Sequence, residues 1–149
     1  MMTDDQMMAH AIELAHSALA IEEVPIGAVV FHNDEVVGEG FNRKETDLNP
    51  TAHAEIIALT NAANKLGRWR LHGCTLVVTL EPCPMCAGAL VNARVDRVVF
   101  GASDQKSGAC RSLYEIADDP RLNHRCEVTS GVREADCIAL LQSFFKSRR

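Results

Sequence analysis

The chain has 149 residues, 47% hydrophobic and 23% charged, with a net charge of −5. That length fits one domain, residues 1–149, with a sizeable core, and no apolar run approaches the roughly 18–20 residues of a membrane span. The acidic start Met1–Gln6 lacks the basic-then-apolar pattern of an export signal, and the six cysteines have no disulfide-like spacing, so the expected setting is the cytoplasm with reduced thiols.

The charge is unevenly spread. Residues 1–64 carry eleven carboxylates against two bases, Arg43 and Lys44, while residues 65–149 carry thirteen bases against nine carboxylates. Such asymmetry can steer a polyanion to one face, but ordinary solvated side chains account for it more simply. Net charge does not settle the substrate.

In chain order, apolar residues at Met7, Met8, Ala11, Ile12, Ala15, Ala18 and Leu19 recur at helical spacing and predict a helix over about 3–19. Ile26–Phe31 reads as a strand, Asn33-Asp34 as a turn and Glu35–Gly40 as the return strand of a hairpin. Asn49-Pro50-Thr51 opens a second helix that stops at Gly67. Cys74–Leu80 is a buried strand, and Pro82 suits the first turn of a third helix ending near Asn92. Val95–Phe100 and Glu127–Ser130 are further strands, and Val132–Phe145 is a last amphipathic helix. A hairpin followed by alternating helices and strands predicts an α/β fold: a three-layer α/β/α sandwich around a mixed five-stranded sheet.

Two segments carry the chemistry, His53-Ala54-Glu55 and Pro82-Cys83-Pro84-Met85-Cys86. One histidine and two cysteines three positions apart supply three ligands. A tetrahedral Zn²⁺ held by three protein groups keeps its fourth position for water, the layout of a catalytic zinc. Glu55, two residues past the histidine, is near enough to pass protons to and from that water, as in zinc-dependent nucleobase deamination. Cys83 and Cys86 alone would equally suit a redox pair or half of a structural zinc site. The redox reading leaves His53 and Glu55 without a role. The structural reading needs a fourth ligand, and the scattered Cys74, Cys110, Cys126 and Cys137 offer none at paired spacing.

This layout puts His53 in the first turn of the second helix, and Cys83 and Cys86 in the first turn of the third. Both sulfurs then share one face, and the positive helix ends favour thiolates. Residues two apart point to nearly opposite sides of a helix. His53 and Glu55 can therefore flank one pocket only if it lies over the helix end.

The chain resembles the bacterial tRNA-specific adenosine deaminases of the cytidine deaminase superfamily. The likeness is carried by Val24–Val29, Gly40–Arg43, Asn49–Ile56, Thr79–Ala89 and Val98–Ala102, then by Asp104, Lys106, Gly108 and Asn123-His124-Arg125. It implies a cytidine deaminase-like fold, one Zn²⁺ per subunit, a homodimer, and hydrolysis of the wobble adenosine to inosine in the anticodon stem-loop of an arginine tRNA. By the same resemblance His53, Cys83 and Cys86 would bind zinc and Glu55 would shuttle protons. Asn42 would bond the flipped adenine, Ile26 would pack on it, and the backbone at Ala54 and Glu81 would complete the pocket. Asp104 and Lys106 would meet flanking nucleotides, followed by Asn123, Phe145 and Arg149. The bland alternatives are that Asn42 only ends a strand, that Ile26 is core, and that Phe144 or Phe145 is core. Arg111 stands where the resembled family carries glycine. The alternative activity is deamination of a free base or nucleotide such as guanine or cytosine.

Overall fold

The computed structural model describes residues 1–148; Arg149, one of the residues implied by resemblance, lies outside the described residues. Its elements are α1 (Asp4–Ala20), β1 (Gly27–His32), β2 (Glu35–Phe41), α2 (Ala54–Leu66), β3 (Cys74–Leu80), α3 (Pro84–Ala93), β4 (Arg97–Ala102), β5 (Glu127–Thr129) and α4 (Glu134–Lys146).

The five strands form one mixed sheet in the order β2-β1-β3-β4-β5. β1 runs antiparallel to both β2 and β3, while β3, β4 and β5 are parallel. Asn33 and Asp34 both adopt positive φ, as a two-residue turn between right-twisted strands requires. The sheet buries both faces. Val30, Leu76, Val78, Val98 and Phe100 face α2 and α3, and Val29, Phe31, Val77 and Val99 face α1 and α4. This is the three-layer sandwich that the alternation of elements predicts.

α1 starts with a capping box: Gln6 N donates to Thr3 Oγ1 (3.1 Å) and Thr3 N to Gln6 Oε1 (2.9 Å). Arg97 on β4 reaches across the sheet edge, donating to Asp4 Oδ1 (2.7 Å) and Thr129 Oγ1 (2.9 Å), so the first helix is tied to the last two strands.

α2 sits unusually low on the sheet. A Cβ at Gly38 or Gly40 would collide with the backbone of α2 at Ala58 and Ala62 or at Ala54 and Ala58. The two glycines let the helix backbone lie directly on β2, and that fixes where its N-terminus projects.

Several boundaries differ from the sequence expectation by one or more residues, and two of them bear on the site. α2 begins at Ala54, and His53 is its N-cap with an extended backbone (φ −80°, ψ 151°). α3 begins at Pro84 rather than Pro82, and Cys83 is its N-cap (φ −75°, ψ 175°). Pro50 and Pro82 both fall in the connections that lead into these caps. β4 starts at Arg97, two residues after Val95, because Val95 N closes the end of α3 by bonding Leu90 O (3.2 Å). Among the described residues no helix is long and apolar enough to cross a membrane.

Candidate metal centre and base pocket

The N-termini of α2 and α3 converge at the end of the sheet where β3 finishes. From them His53 Nδ1 lies 3.7 Å from Cys83 Sγ and 3.6 Å from Cys86 Sγ. All three ligand atoms lie within 4.8 Å of one another, and among the described residues the cluster has these three members. The cap positions make this possible. An N-cap side chain and the N3 side chain lie over the same helix end, so Cys83 and Cys86 face one point. An extended N-cap lets His53 turn toward that point while Glu55, already in the helix, approaches from the other side. The expectation that His53 sits in a helical turn is corrected here, and with it the difficulty of two residues two apart sharing a pocket.

Electrostatics match a cation-binding cluster. The Cys83 thiol is pulled down to about 4, chiefly by hydrogen bonding from Cys86 and also by His53, against the opposing effect of burial. His53 is raised, chiefly through its bond to Cys83, although burial works the other way. Cys86, fully buried, is raised by its bond to the Cys83 sulfur and by burial. Sulfur and imidazole donors held this close, with protons shared among them, fit a metal ion that displaces those protons.

Glu55 is 4% exposed. Burial pushes its carboxyl up to about 7, with the Cys83 sulfur acting in the same direction. Bonds to its own backbone N–H and to the Cys86 thiol work against that rise, and among the described residues no ion pair engages it. A buried carboxyl without a cationic partner at the edge of a ligand cluster is a typical mark of a functional site.

In front of the cluster opens a cleft of about 210 Å³. That is below the roughly 300–1,000 Å³ of drug-sized sites, and suits one heterocyclic base better than a whole nucleotide. His53, Ala54, Glu55 and Cys83 line it together with Ile26, Asn42, Glu81 and Asp104. Val24, Lys44, Leu80 and Ser107 also line it, and no motif singled them out. For Lys44 a signal existed: it is one of only two bases in the acidic first 64 residues.

The lining is built from bonds between distant segments. Asn42, 6% exposed and just past β2, donates from Nδ2 to Val24 O (3.3 Å) and accepts at Oδ1 from Lys44 N (3.1 Å). It does terminate a strand, but it also lines the cleft, and each end of its amide keeps one donor or acceptor position beyond these two bonds. Glu81, 2% exposed, accepts from the N–H groups of Asp104 (3.0 Å), Cys110 (3.1 Å), Arg111 (2.7 Å) and Ser112 (2.9 Å), and from Ser112 Oγ. Burial works to raise Glu81, and these donors outweigh it, holding the carboxyl below its ordinary value. Gly108 packs against that carboxylate so closely that a Cβ would overlap it. The loop 104–112 is thus wrapped around one buried anion.

The remaining expected residues divide. Asp104 lines the cleft, but its carboxylate also accepts from Lys106 N (3.0 Å), Ser107 N (3.2 Å) and Ser107 Oγ (2.8 Å). Lys106 is exposed and does not line the cleft. Asn123 is exposed and also away from it. Phe144 is core, whereas Phe145 is 53% exposed and stacks edge-on against it. Arg111 is engaged within its own loop, donating to Cys110 O (2.7 Å) and pairing with Asp118 (3.0 Å).

Fold and site together define a deaminase domain. Residues 2–149 match the family model described as "MafB19-like deaminase". The chain is 50% identical over 147 residues to a tRNA-specific adenosine deaminase of Haemophilus influenzae, covering 98% of this chain and 85% of that one. To the tRNA-specific adenosine deaminase of Bacillus subtilis it is 48% identical over 149 residues, 99% of this chain and 92% of the relative. A solved structure described as "Biochemical and Structural Studies of A-to-I Editing by tRNA:A34 Deaminases at the Wobble Position of Transfer RNA" superposes with a TM-score of 0.87 at 41% identity, covering 91% of this chain and 98% of that one. With such identity over nearly its whole length, the chain belongs to the family of the tRNA-specific adenosine deaminases.

Proposed function

We propose that this protein hydrolytically deaminates the wobble adenosine of a tRNA anticodon loop, an arginine tRNA being the expected substrate, to give inosine and ammonia. The observation that carries this reading is a three-donor cluster and a buried glutamate without an ion pair, both lining a base-sized cleft. The tRNA substrate is supported by the two tRNA-acting relatives.

Zinc is the metal this donor set suits. Metal–sulfur distances near 2.3 Å and metal–nitrogen distances near 2.0–2.1 Å in a tetrahedron put the donors about 3.6 Å apart, the spacing seen between His53 and both sulfurs. Bound there, one ion per subunit supplies Lewis-acid activation of water near neutral pH. Residues of the chain do the rest. His53, Cys83 and Cys86 hold the ion. Asn42 bonds the edge of the entering adenine through its free positions, and Ile26 packs on the ring. Ala54 and Glu81 close the pocket around it. Glu55 takes a proton from the attacking water and returns protons to the ring nitrogen and the departing amine. The C–N bond then breaks, and a carbonyl replaces the amino group. A loop base suits this design because it is already partly unstacked and costs little to extrude.

Asp104 and Lys106 meet nucleotides next to the target. The protein acts as a homodimer of single-domain subunits in the cytoplasm. An apolar face between α2 and α3, with Ile56, Ala89, Ala93 and the 59% exposed Trp69, supports pairing there. The deciding experiment supplies zinc-loaded protein with an arginine anticodon stem-loop, free adenine, guanine and cytosine, and follows the products by mass spectrometry. Inosine in the stem-loop alone is expected; comparable turnover of a free base would overturn the tRNA reading.

A further inference from the structure

Outside the metal cluster, one segment is held more firmly than the fold requires. The turn 43–49 joins β2 to the residues before α2. Asp47 N bonds Arg43 O (2.8 Å), Asn49 N bonds Lys44 O (3.1 Å), and the Arg43 guanidinium grips Asp47 through Nε and Nη2 (3.0–3.2 Å). From below, the buried carboxylate of Glu23 accepts from Glu45 N (3.3 Å) and Thr46 N (2.6 Å). This rigid turn displays two side chains the fold does not use. Leu48 is 88% exposed and held at φ +49°, a left-handed conformation unfavourable for leucine. Lys44 lines the cleft mouth, and among the described residues no ion pair engages it. Its neighbour Arg43 is paired with Asp47, so among the described residues Lys44 is the one lysine or arginine of the acidic first 64 residues without an ion pair.

We propose that the turn 43–49 is a contact ridge for the substrate RNA, with Lys44 meeting a backbone phosphate beside the target base and Leu48 packing on the neighbouring base. The proposal rests on the anticodon-loop reading above. A base that enters a cleft of about 210 Å³ leaves its sugar and phosphates at the mouth, where Lys44 stands. The next base along the strand must then cross the turn that Lys44 opens, and an apolar side chain held clear of the protein gives it a surface to lie on. Strain accepted at an exposed position is explained when the side chain serves a partner rather than the core.

Leu48→Gly separates this from a structural role, because glycine relieves the backbone while removing the contact surface. The test measures Tm, then kcat and KM for inosine formation in an anticodon stem-loop, and binding of the fluorescein-labelled stem-loop by anisotropy between about 50 and 200 mM salt. Leu48→Gly is expected to keep or raise Tm, leave kcat unchanged, and raise KM and Kd about five- to tenfold, in line with the loss of one packed base. Lys44→Gln is expected to lower the salt slope of binding by about 0.7, the increment for one phosphate on a single strand, with Lys44→Arg restoring it. A lower Tm with unchanged Kd for Leu48→Gly, an unchanged salt slope for Lys44→Gln, or an effect of Leu48→Gly on dimer dissociation alone would each overturn the ridge. Because anisotropy needs no turnover, wild-type protein that binds RNA but forms no inosine condemns the deaminase reading and still tests the ridge. Wild-type protein that does neither overturns both.

Discussion

His53 and Cys83 occupy the same position on two different helices: each is an N-cap with an extended backbone, and Nδ1 of one lies 3.7 Å from Sγ of the other. Two residues whose usual task is to satisfy orphan amides instead face each other across a gap that a metal ion fits. The helix ends bring their positive potential to the thiolates. Neither cap makes the usual side-chain bond to its own helix, so each helix gives up the roughly 0.5–2 kcal/mol a good cap supplies.

It follows that metal and fold are coupled here. Removing the ion with a chelator should lower Tm and abolish activity, and added zinc should restore both. His53→Ala should lose the metal, as read by elemental analysis of the purified protein. Full metal content in His53→Ala would refute that ligand assignment.

Glu81 should prove more important to the loop than to the chemistry. Glu81→Gln keeps the shape but puts an NH₂ group against backbone donors inside the protein, at a cost of about 3 kcal/mol. Hydrogen exchange should accelerate at the amides of Asp104, Cys110, Arg111 and Ser112, the four that Glu81 now accepts. Unchanged protection at those amides would show that the loop is held by something else.

The seating of α2 on β2 predicts a packing defect. Gly40→Ala pushes a methyl into the helix backbone at Ala54 and Ala58, one residue from His53 and Glu55. Overpacking of this kind costs about 1–3 kcal/mol. Denaturant unfolding should show that loss, and metal affinity should fall with it because the displaced end of α2 carries a ligand.

Stability should also depend on Glu23. Burial works to raise this carboxyl, but bonds from Thr46 and Glu45 and the charge of Arg43 hold it below its ordinary value of 4.5. A folded value below the unfolded one gives stabilisation that is full above pH 4.5 and is lost as pH falls through the folded value. Glu23→Gln should therefore flatten the acid side of the stability curve, measured by Tm between pH 3 and 6. An unaltered acid limb would contradict this role.

Much of this was readable in the sequence because the signals were local. The β3 strand Cys74–Leu80 is a β-branched run, the Asn33-Asp34 turn demands positive φ, and Gly67 ends α2 in a left-handed conformation (φ +67°). The ligand spacing Cys83-x-x-Cys86 with an upstream histidine is equally local chemistry. What escaped was set by contacts far apart in sequence. The start signal Asn49-Pro50-Thr51 carried α2 back to Asn49, but the cap at His53 depends on where β2 places the helix. Lys106 looks as available as Lys44 in sequence, yet of the two Lys44 is the one that lines the cleft. The role of Glu81 as anchor of the 104–112 loop depends on partners 23 to 31 residues away. Arg111 looks like a free cation until folding sets Asp118 beside it.

The most direct test of the central claim pairs metal content with product formation in Glu55→Gln. Glu55 lines the cleft and belongs to no ligand set, so the variant should fold, hold one metal ion per subunit and bind the stem-loop as the wild type does. Inosine formation should fall by about 10²–10⁴-fold, the contribution expected of a positioned proton shuttle. A metal-replete Glu55→Gln that still converts adenosine at the wild-type rate would contradict the account.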